Sequence, residues 1–214
     1  AVFYFPGCGS ERLFSQVGLA TQAMLYHVGA QCVLPPGYLC CGYPQTAAGN
    51  HDKGQEIITD NRVLFHRVAN TLNYLDIKPV IVTCATWREQ RQTYEFEKIF
   101  PGCRLLAIHE YRLEKGVRLA GVGGVRYMYH DPCHTPMKVY NPLSVVSELM
   151  GVDVPLNDRC CGESGTLAMT RPDISAQVRF RKENEMRAGA DALRANGFEG
   201  RVKVLTECPS CLQG

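Results

Sequence analysis

The sequence predicts an α/β protein built as two similar halves, each a small parallel sheet flanked by helices and related by internal duplication. Three observations predict it. Two adjacent cysteine pairs, each followed by glycine, Cys40-Cys41-Gly42 and Cys160-Cys161-Gly162, lie 120 positions apart. FYFPGC ending at Cys8 returns as YMYHDPC ending at Cys133, and VIVTC ending at Cys84 returns as VLTEC ending at Cys208, at offsets of 125 and 124. Short aromatic or β-branched runs alternate with helical periodicity throughout, the pattern of parallel strands with crossover helices. Repetition in the same order at nearly the same offset is the mark of duplication. The halves are expected at 1–120 and 121–214, joined near Gly121-Val122-Gly123-Gly124.

Each element has its own signal. Val2–Phe5 reads as an aromatic strand running into Pro6-Gly7-Cys8. Ser10 is expected to cap a helix whose apolar face is Leu13, Phe14, Val17, Ala20, Met24, Leu25 and Val28, with Gly29 as its stop. Cys32–Leu34 reads as a short strand before the first cysteine pair. A helix is expected over about 53–75, with Ile57, Ile58, Asn61, Leu64, Phe65, Val68 and Leu72 on one face. Val80–Thr83 is β-branched and ends at Cys84. The second half reads as strand 125–129, helix 143–150, a short strand near 152–155, helix 172–195 opened by Pro172, and strand 202–206. Such folds carry their chemistry in loops beyond the carboxyl ends of the strands. Cys8, Cys84, Cys133 and Cys208 fall there.

Composition removes several function classes. The chain has 214 residues, 45% hydrophobic and 21% charged, enough for a real core and wrong for disorder, collagen or coiled coil. A net charge of +2 gives no argument for nucleic acid. No apolar run approaches the roughly 18–20 residues of a membrane span. No signal peptide stands at Ala1, and no G-x-G-x-x-G opens a helix after a strand. A ferredoxin-type cysteine run is also missing from the sequence.

Eleven cysteines in 214 residues are the outstanding feature. An odd number cannot all pair within one chain, and a Cys-rich chain without a signal peptide reads as an intracellular metal binder. Adjacent cysteines have Cα atoms about 3.8 Å apart, below the roughly 4.4 Å limit of ordinary disulfides. The alternative for a single pair is two small buried residues. The second half offers five thiols: Cys133, Cys160, Cys161, Cys208 and Cys211. That exceeds the four taken by zinc or by an ordinary cubane cluster. The first half offers Cys8, Cys40, Cys41 and Cys84, which suit zinc or a four-iron cluster equally by count. Where its fifth thiol would stand, the sequence has Trp87. Cys32 is expected in the core, and Cys103 as a loop thiol.

The pattern Cys…Cys-Cys-Gly…Cys-x-x-Cys, complete in the second half and degenerate in the first, resembles the cysteine-rich CCG domain family over essentially the whole chain. That family includes the cysteine-rich component of heterodisulfide reductase and iron–sulfur subunits of glycolate oxidase, anaerobic glycerol-3-phosphate dehydrogenase and lactate-utilisation complexes. YHDPCHTPMK and DRCCGESGT look most like the C-terminal part of bacterial FAD-linked dehydrogenases. The chain departs from the pattern in its 26-residue gap after Cys133, its 42- and 46-residue gaps after the pairs, and the missing last cysteine of the first motif.

The resemblance implies a 4Fe-4S cluster, noncubane where all five thiols serve, on Cys133, Cys160, Cys161, Cys208 and Cys211. It implies zinc or a second cluster on Cys8, Cys40, Cys41 and Cys84. FAD would sit on a separate flavin-containing dehydrogenase domain or subunit, and electrons would pass on to an acceptor such as quinone. The implied donor is a small 2-hydroxy acid such as lactate or glycolate. A thiol or heterodisulfide reductase-type module and a zinc-stabilised structural domain are the alternatives. The expected location is cytoplasmic, peripheral at the inner membrane face. A chain starting on a strand and stopping just after Cys211 reads as a piece of a longer flavoprotein.

Among other polar residues, His130 and His134 flank Cys133, where each would either donate to cluster sulfur or cap the following turn. His27, His51, His66 and His109 are expected on the surface or on helices. Glu163, beside Ser164, is expected as a helix-start carboxylate. Arg171, Arg179, Arg181, Lys182 and Arg187 alternate with Glu183 and Glu185, a solvated helix face.

Overall fold

In the computed structural model, the described residues are 1–84, 91–119, 122–163, 167–195 and 197–214, without the side chains of 91 and 92. Trp87, Ser164 and Gly121 lie outside them.

In chain order the elements are β1 Val2–Phe5, a π-helical turn Gly9–Leu13, α1 Ser15–His27, β2 Cys32–Val33, α2 Tyr43–Ala47, α3 His51–Thr71 and β3 Pro79–Val82. There follow α4 Arg91–Tyr94, α5 Phe96–Ile99, β4 Arg104–Ala107, α6 Ile108–Glu114, β5 Val125–His130 and α7 Pro142–Met150. The chain ends with α8 Leu167–Thr170, α9 Pro172–Arg194, β6 Arg201–Thr206 and α10 Pro209–Gln213. The first sheet is parallel in the order β2-β1-β3-β4, and the second pairs β5 with β6 in parallel. The expected α/β class with parallel sheets and flanking helices is what forms.

Both faces of the first sheet are covered, so its central strands are buried at every position but Pro79, which is half-buried. Successive side chains of a strand alternate between faces. Phe3 and Phe5 meet α3 at Phe65, with ring centroids 5.1 and 5.6 Å apart, and Tyr94 and Phe96 stack on the same ring. Val2, Tyr4 and Ile81 face the other way, against Leu25 of α1 and Tyr111 of α6. Asn50 caps α3 by accepting from Lys53 N, and Asn141 caps α7 by accepting from Ser144 N.

Several expectations change. Ser10 is not a cap: it is fully buried in the π-helical turn, and its hydroxyl lies 2.9 Å from that of Thr83. Helix α1 starts five residues later and buries Gly18, Thr21 and Leu25, leaving Leu13 and Ala20 exposed. Gly18 is needed there, because a Cβ would stand 2.4 Å from Ser10 O. The sheet gains a fourth strand, β4. The strand expected near 152–155 is reduced to one bridge between Tyr129 and Leu156.

The halves are stitched together. Glu110 of α6 is fully buried; one oxygen accepts from Ala107 N, the other from Val139 N and Tyr140 N across the molecule. Ala107 and Leu113 join the second core around Tyr129, Val145 and Leu149. No helix among the described residues is long and apolar enough to cross a membrane.

Candidate metal centre

The loops after β1 and β6 meet. A Cβ on Gly9, next to Cys8, would be 2.9 Å from Pro209, next to Cys208. Tyr43, just past the first cysteine pair, sets its hydroxyl 3.5 Å from His134 Nε2, just past Cys133. The two cysteine groups therefore occupy neighbouring loops at the carboxyl ends of the strands.

Each cysteine pair is held in the same way. Gly42 and Gly162 have φ of +86° and +82°, a left-handed conformation that a side chain resists. Each also lies against the next long helix: a Cβ would stand 2.8 Å from Gly54 O in the first half and 2.9 Å from Ser175 O in the second. Polar side chains then fix the loop. In the first half, Asn61 Nδ2 donates to Cys40 O at 2.7 Å and the Tyr94 hydroxyl to Cys41 O at 3.2 Å. In the second, Ser175 Oγ donates to Gly162 O at 2.9 Å, and Glu185 accepts from Asp158 N and Arg159 N at 3.2 and 2.9 Å. Gly162→Ala is expected to cost about 1–2 kcal/mol for the left-handed backbone alone. The contact with Ser175 O adds to that. Gly197→Ala, with φ of +71° and nothing within 4 Å, carries the backbone cost only. Thermal unfolding should place G162A clearly below G197A; equal midpoints would show that the loop does not press on α9.

In the second half, Cys133 Sγ lies 3.7 Å from Cys160 Sγ, and Cys161 Sγ lies 3.3 Å from Cys211 Sγ. Cys160 Sγ also accepts from Gly162 N at 3.3 Å. The hydrogen bond with Cys211 holds Cys161 down at about 4, helped by His130, and the same partner holds Cys208 at about 6. The proton resides on Cys211, which is pushed up by those two sulfurs. Burial, then Cys160, pushes Cys133 up to about 11. In the first half, hydrogen bonds from Cys41 and Cys8 hold Cys40 at about 2, and Cys84 lies close enough to raise Cys8 and Cys41 further. Thiolates crowded against thiols suit a cationic partner, since metal ligation requires deprotonated sulfur.

The structure thus brings Cys133 near Cys160, Cys161 and Cys208 near Cys211, and Cys8, Cys40, Cys41 and Cys84 into one group. Cys32 packs on the core around Leu25, and Cys103 on the core around Phe65, so Cys103 is more than a loop thiol.

Four further residues matter. His130 is buried, and one of its ring nitrogens forms a group with the Cys161 and Cys211 sulfurs in which all three atoms lie within 4.8 Å of one another. Lys182, expected on a solvated face, is only 5% exposed and contacts His130. Glu163 is buried, with its carbonyl accepting from Leu167 N at the start of α8. His109 is not a plain surface residue: its Nε2 is 3.5 Å from Glu207 Oε1, and burial, then Arg112, holds it down at about 4. Burial raises Glu207. Both residues line an apolar cavity of about 300 Å³ with Met24, Ile108 and Cys208.

The chain is similar to several known proteins. The chain is 26% identical over 220 residues to a subunit of the fumarate reductase (CoM/CoB) of Methanothermobacter marburgensis, covering 97% of this chain and 40% of that one. It is 28% identical over 221 residues to an uncharacterised iron–sulfur protein of Methanocaldococcus jannaschii, with 98% and 40% covered. It is 26% identical over 208 residues to lactate utilization protein A of an Exiguobacterium species, with 90% and 83% covered. The chain thus spans 40% of the length of the two archaeal relatives. The cysteine-rich domain CCG is matched twice, over residues 2–86 and 127–213, once around each cysteine pair, and the chain belongs to that family.

Proposed function

We propose that this chain is an iron–sulfur electron-transfer module, with one cluster held in the second half by Cys133, Cys160, Cys161, Cys208 and Cys211. The observation that carries the reading is the crowding of sulfurs around Cys161 and Cys211, 3.3 Å apart, with a buried histidine nitrogen facing them. The donor set is soft sulfur, which selects iron–sulfur clusters, zinc or cuprous ion over hard cations. Five sulfurs against a usual four favour a cluster over zinc, and the noncubane four-iron form is the expected one. Such a cluster supplies one-electron transfer when bound. The protein's part is to hold it at the strand ends, enclose Cys161 and Cys208, and keep Cys133 at the surface, where an electron partner can approach.

Cys8, Cys40, Cys41 and Cys84 would close a tetrahedral zinc site in the first half. The electron donor would be a FAD-bearing dehydrogenase domain or subunit in the cytoplasm, acting on a small 2-hydroxy acid, and the acceptor a quinone or similar carrier. The likeness to lactate utilization protein A supports the substrate class. The likeness to the CoM/CoB fumarate reductase supports thiol–disulfide chemistry as the second reading.

Rapid mixing of the joined protein with lactate or glycolate is the test. Flavin bleaching should be followed by bleaching of the cluster band, and the separate chain should oxidise neither acid. Full-rate flavin turnover with an oxidised cluster would take this chain out of the electron path.

A further inference from the structure

Behind Cys161, three buried groups form a chain. Lys182 on the inner face of α9 sets Nζ 2.9 Å from His130 Nδ1 and 2.9 Å from Asn157 O, with Glu185 Oε2 at 3.4 Å. His130, 3% exposed at the end of β5, has a ring nitrogen within 4.8 Å of the sulfurs of Cys161 and Cys211, and with Nδ1 engaged by Lys182 and Asn157 O the nitrogen left to face them is Nε2. That Nε2 has no hydrogen-bond partner among the described residues.

An ammonium carries three donors and no acceptor, so at 2.9 Å Nδ1 must accept from it. A neutral imidazole has one N–H. It therefore lies on Nε2, the nitrogen that faces sulfur. The other tautomer would donate from Nδ1 to Asn157 O, 3.2 Å away. It would set that N–H against the ammonium hydrogens and turn a lone pair toward the Cys161 thiolate, two repulsive contacts in a low-dielectric interior.

We propose that Lys182 is a positioning residue: by donating to Nδ1 it fixes His130 as the Nε2–H tautomer and makes the ring a hydrogen-bond donor to the sulfur of the second cysteine site, not a metal ligand. The effect on a cluster rests on the function proposed above; the tautomer does not. A donor to sulfur stabilises the reduced, more negative state and raises the potential.

Nitrogen NMR of the reduced, iron-free chain labelled at histidine reads the tautomer directly. The wild type should show His130 protonated at Nε2, and Lys182→Met should move the proton to Nδ1. A wild-type spectrum with the proton on Nδ1 overturns the assignment even if the variant fails to fold. A second arm uses the iron-reconstituted chain. His130→Gln should retain the wild-type iron content, whereas iron loss in a folded variant would make His130 a ligand and overturn the proposal. In K182M, redox titration followed by electron paramagnetic resonance should show an about tenfold shift in the oxidised-to-reduced ratio at fixed potential, about 59 mV for one electron. An unmoved potential with a moved tautomer would overturn the sulfur-donor role. Failure of the wild type to take up iron would refute the cluster and leave the NMR result standing.

Discussion

Cys161→Ser is expected to abolish iron binding by the second half while leaving the chain folded. The thiolate is the ligand, and a serine hydroxyl at neutral pH is not its equivalent. Cys161 is buried at 5% exposure and contacts Cys211, so its loss removes a sulfur from the enclosed side of the group, where water cannot substitute. Removal of residues that merely support metal ligands costs about 10–100-fold in affinity, and loss of an interior ligand should exceed that. Cys32→Ser is the control, because Cys32 packs on the core around Leu25, away from the cysteine groups. Iron content and the paramagnetic signal after anaerobic reconstitution are the measurements, with circular dichroism to confirm folding. A folded C161S protein that keeps wild-type iron would sink the five-thiol assignment. Loss of iron in C32S as well would mean that the assay reports stability, not ligation.

What the sequence made legible, and what it hid, follows from burial. The cysteine motifs and the strands before them could be read because β1 and β3 are covered on both faces, so every position is apolar or aromatic. Phe65 and Ile58 were readable because α3 presents an apolar stripe to that sheet. Helix α9 gave the opposite impression. Its fully buried positions are Ser175 and Lys182, while Ile174 and Phe180 are 40% and 61% exposed. The periodicity of apolar residues therefore pointed away from the face that supports the second cysteine pair, and Lys182 read as one of a run of solvated charges. Strand β4 was hidden because it runs without a break into α6, so Leu105, Leu106, Ala107 and Ile108 form one apolar stretch. Ser10 had the chemistry of a cap and was drawn instead into a buried hydroxyl chain with Thr83 and Tyr4. In the candidate site, cysteine spacing identified the sulfurs. The residues that hold them, Asn61, Tyr94, Ser175 and Glu185, are separated from the pairs by up to 53 positions, and only folding brings them together.

Metal affinity of the second half should rise steeply with pH. Ligation needs thiolates, so every cysteine that holds a proton at neutral pH must release it. Cys161 and Cys208, held at about 4 and about 6, are already ionised there. Cys133, raised to about 11, and Cys211, raised by its hydrogen bonds with Cys161 and Cys208, still carry theirs. Binding therefore releases at least two protons, and by mass action those two thiols give about a hundredfold gain in affinity per pH unit. As pH falls through 6, Cys208 also takes up a proton and the dependence steepens. The same shifts act on the metal-free fold with opposite signs. Cys161 and Cys208, depressed from 9.0, contribute stability above that value that is lost as pH falls through about 6 and then about 4. Cys133, raised from 9.0, contributes below that value and loses it as pH rises through about 11. Calorimetric zinc titration of the reduced chain carrying Cys40→Ser and Cys41→Ser, which removes the first-half site, in buffers of different ionisation enthalpy counts the protons released by the second half. A count of two or more is expected near pH 7. A count near zero would mean that Cys133 and Cys211 are not ligands, and would overturn the five-thiol assignment.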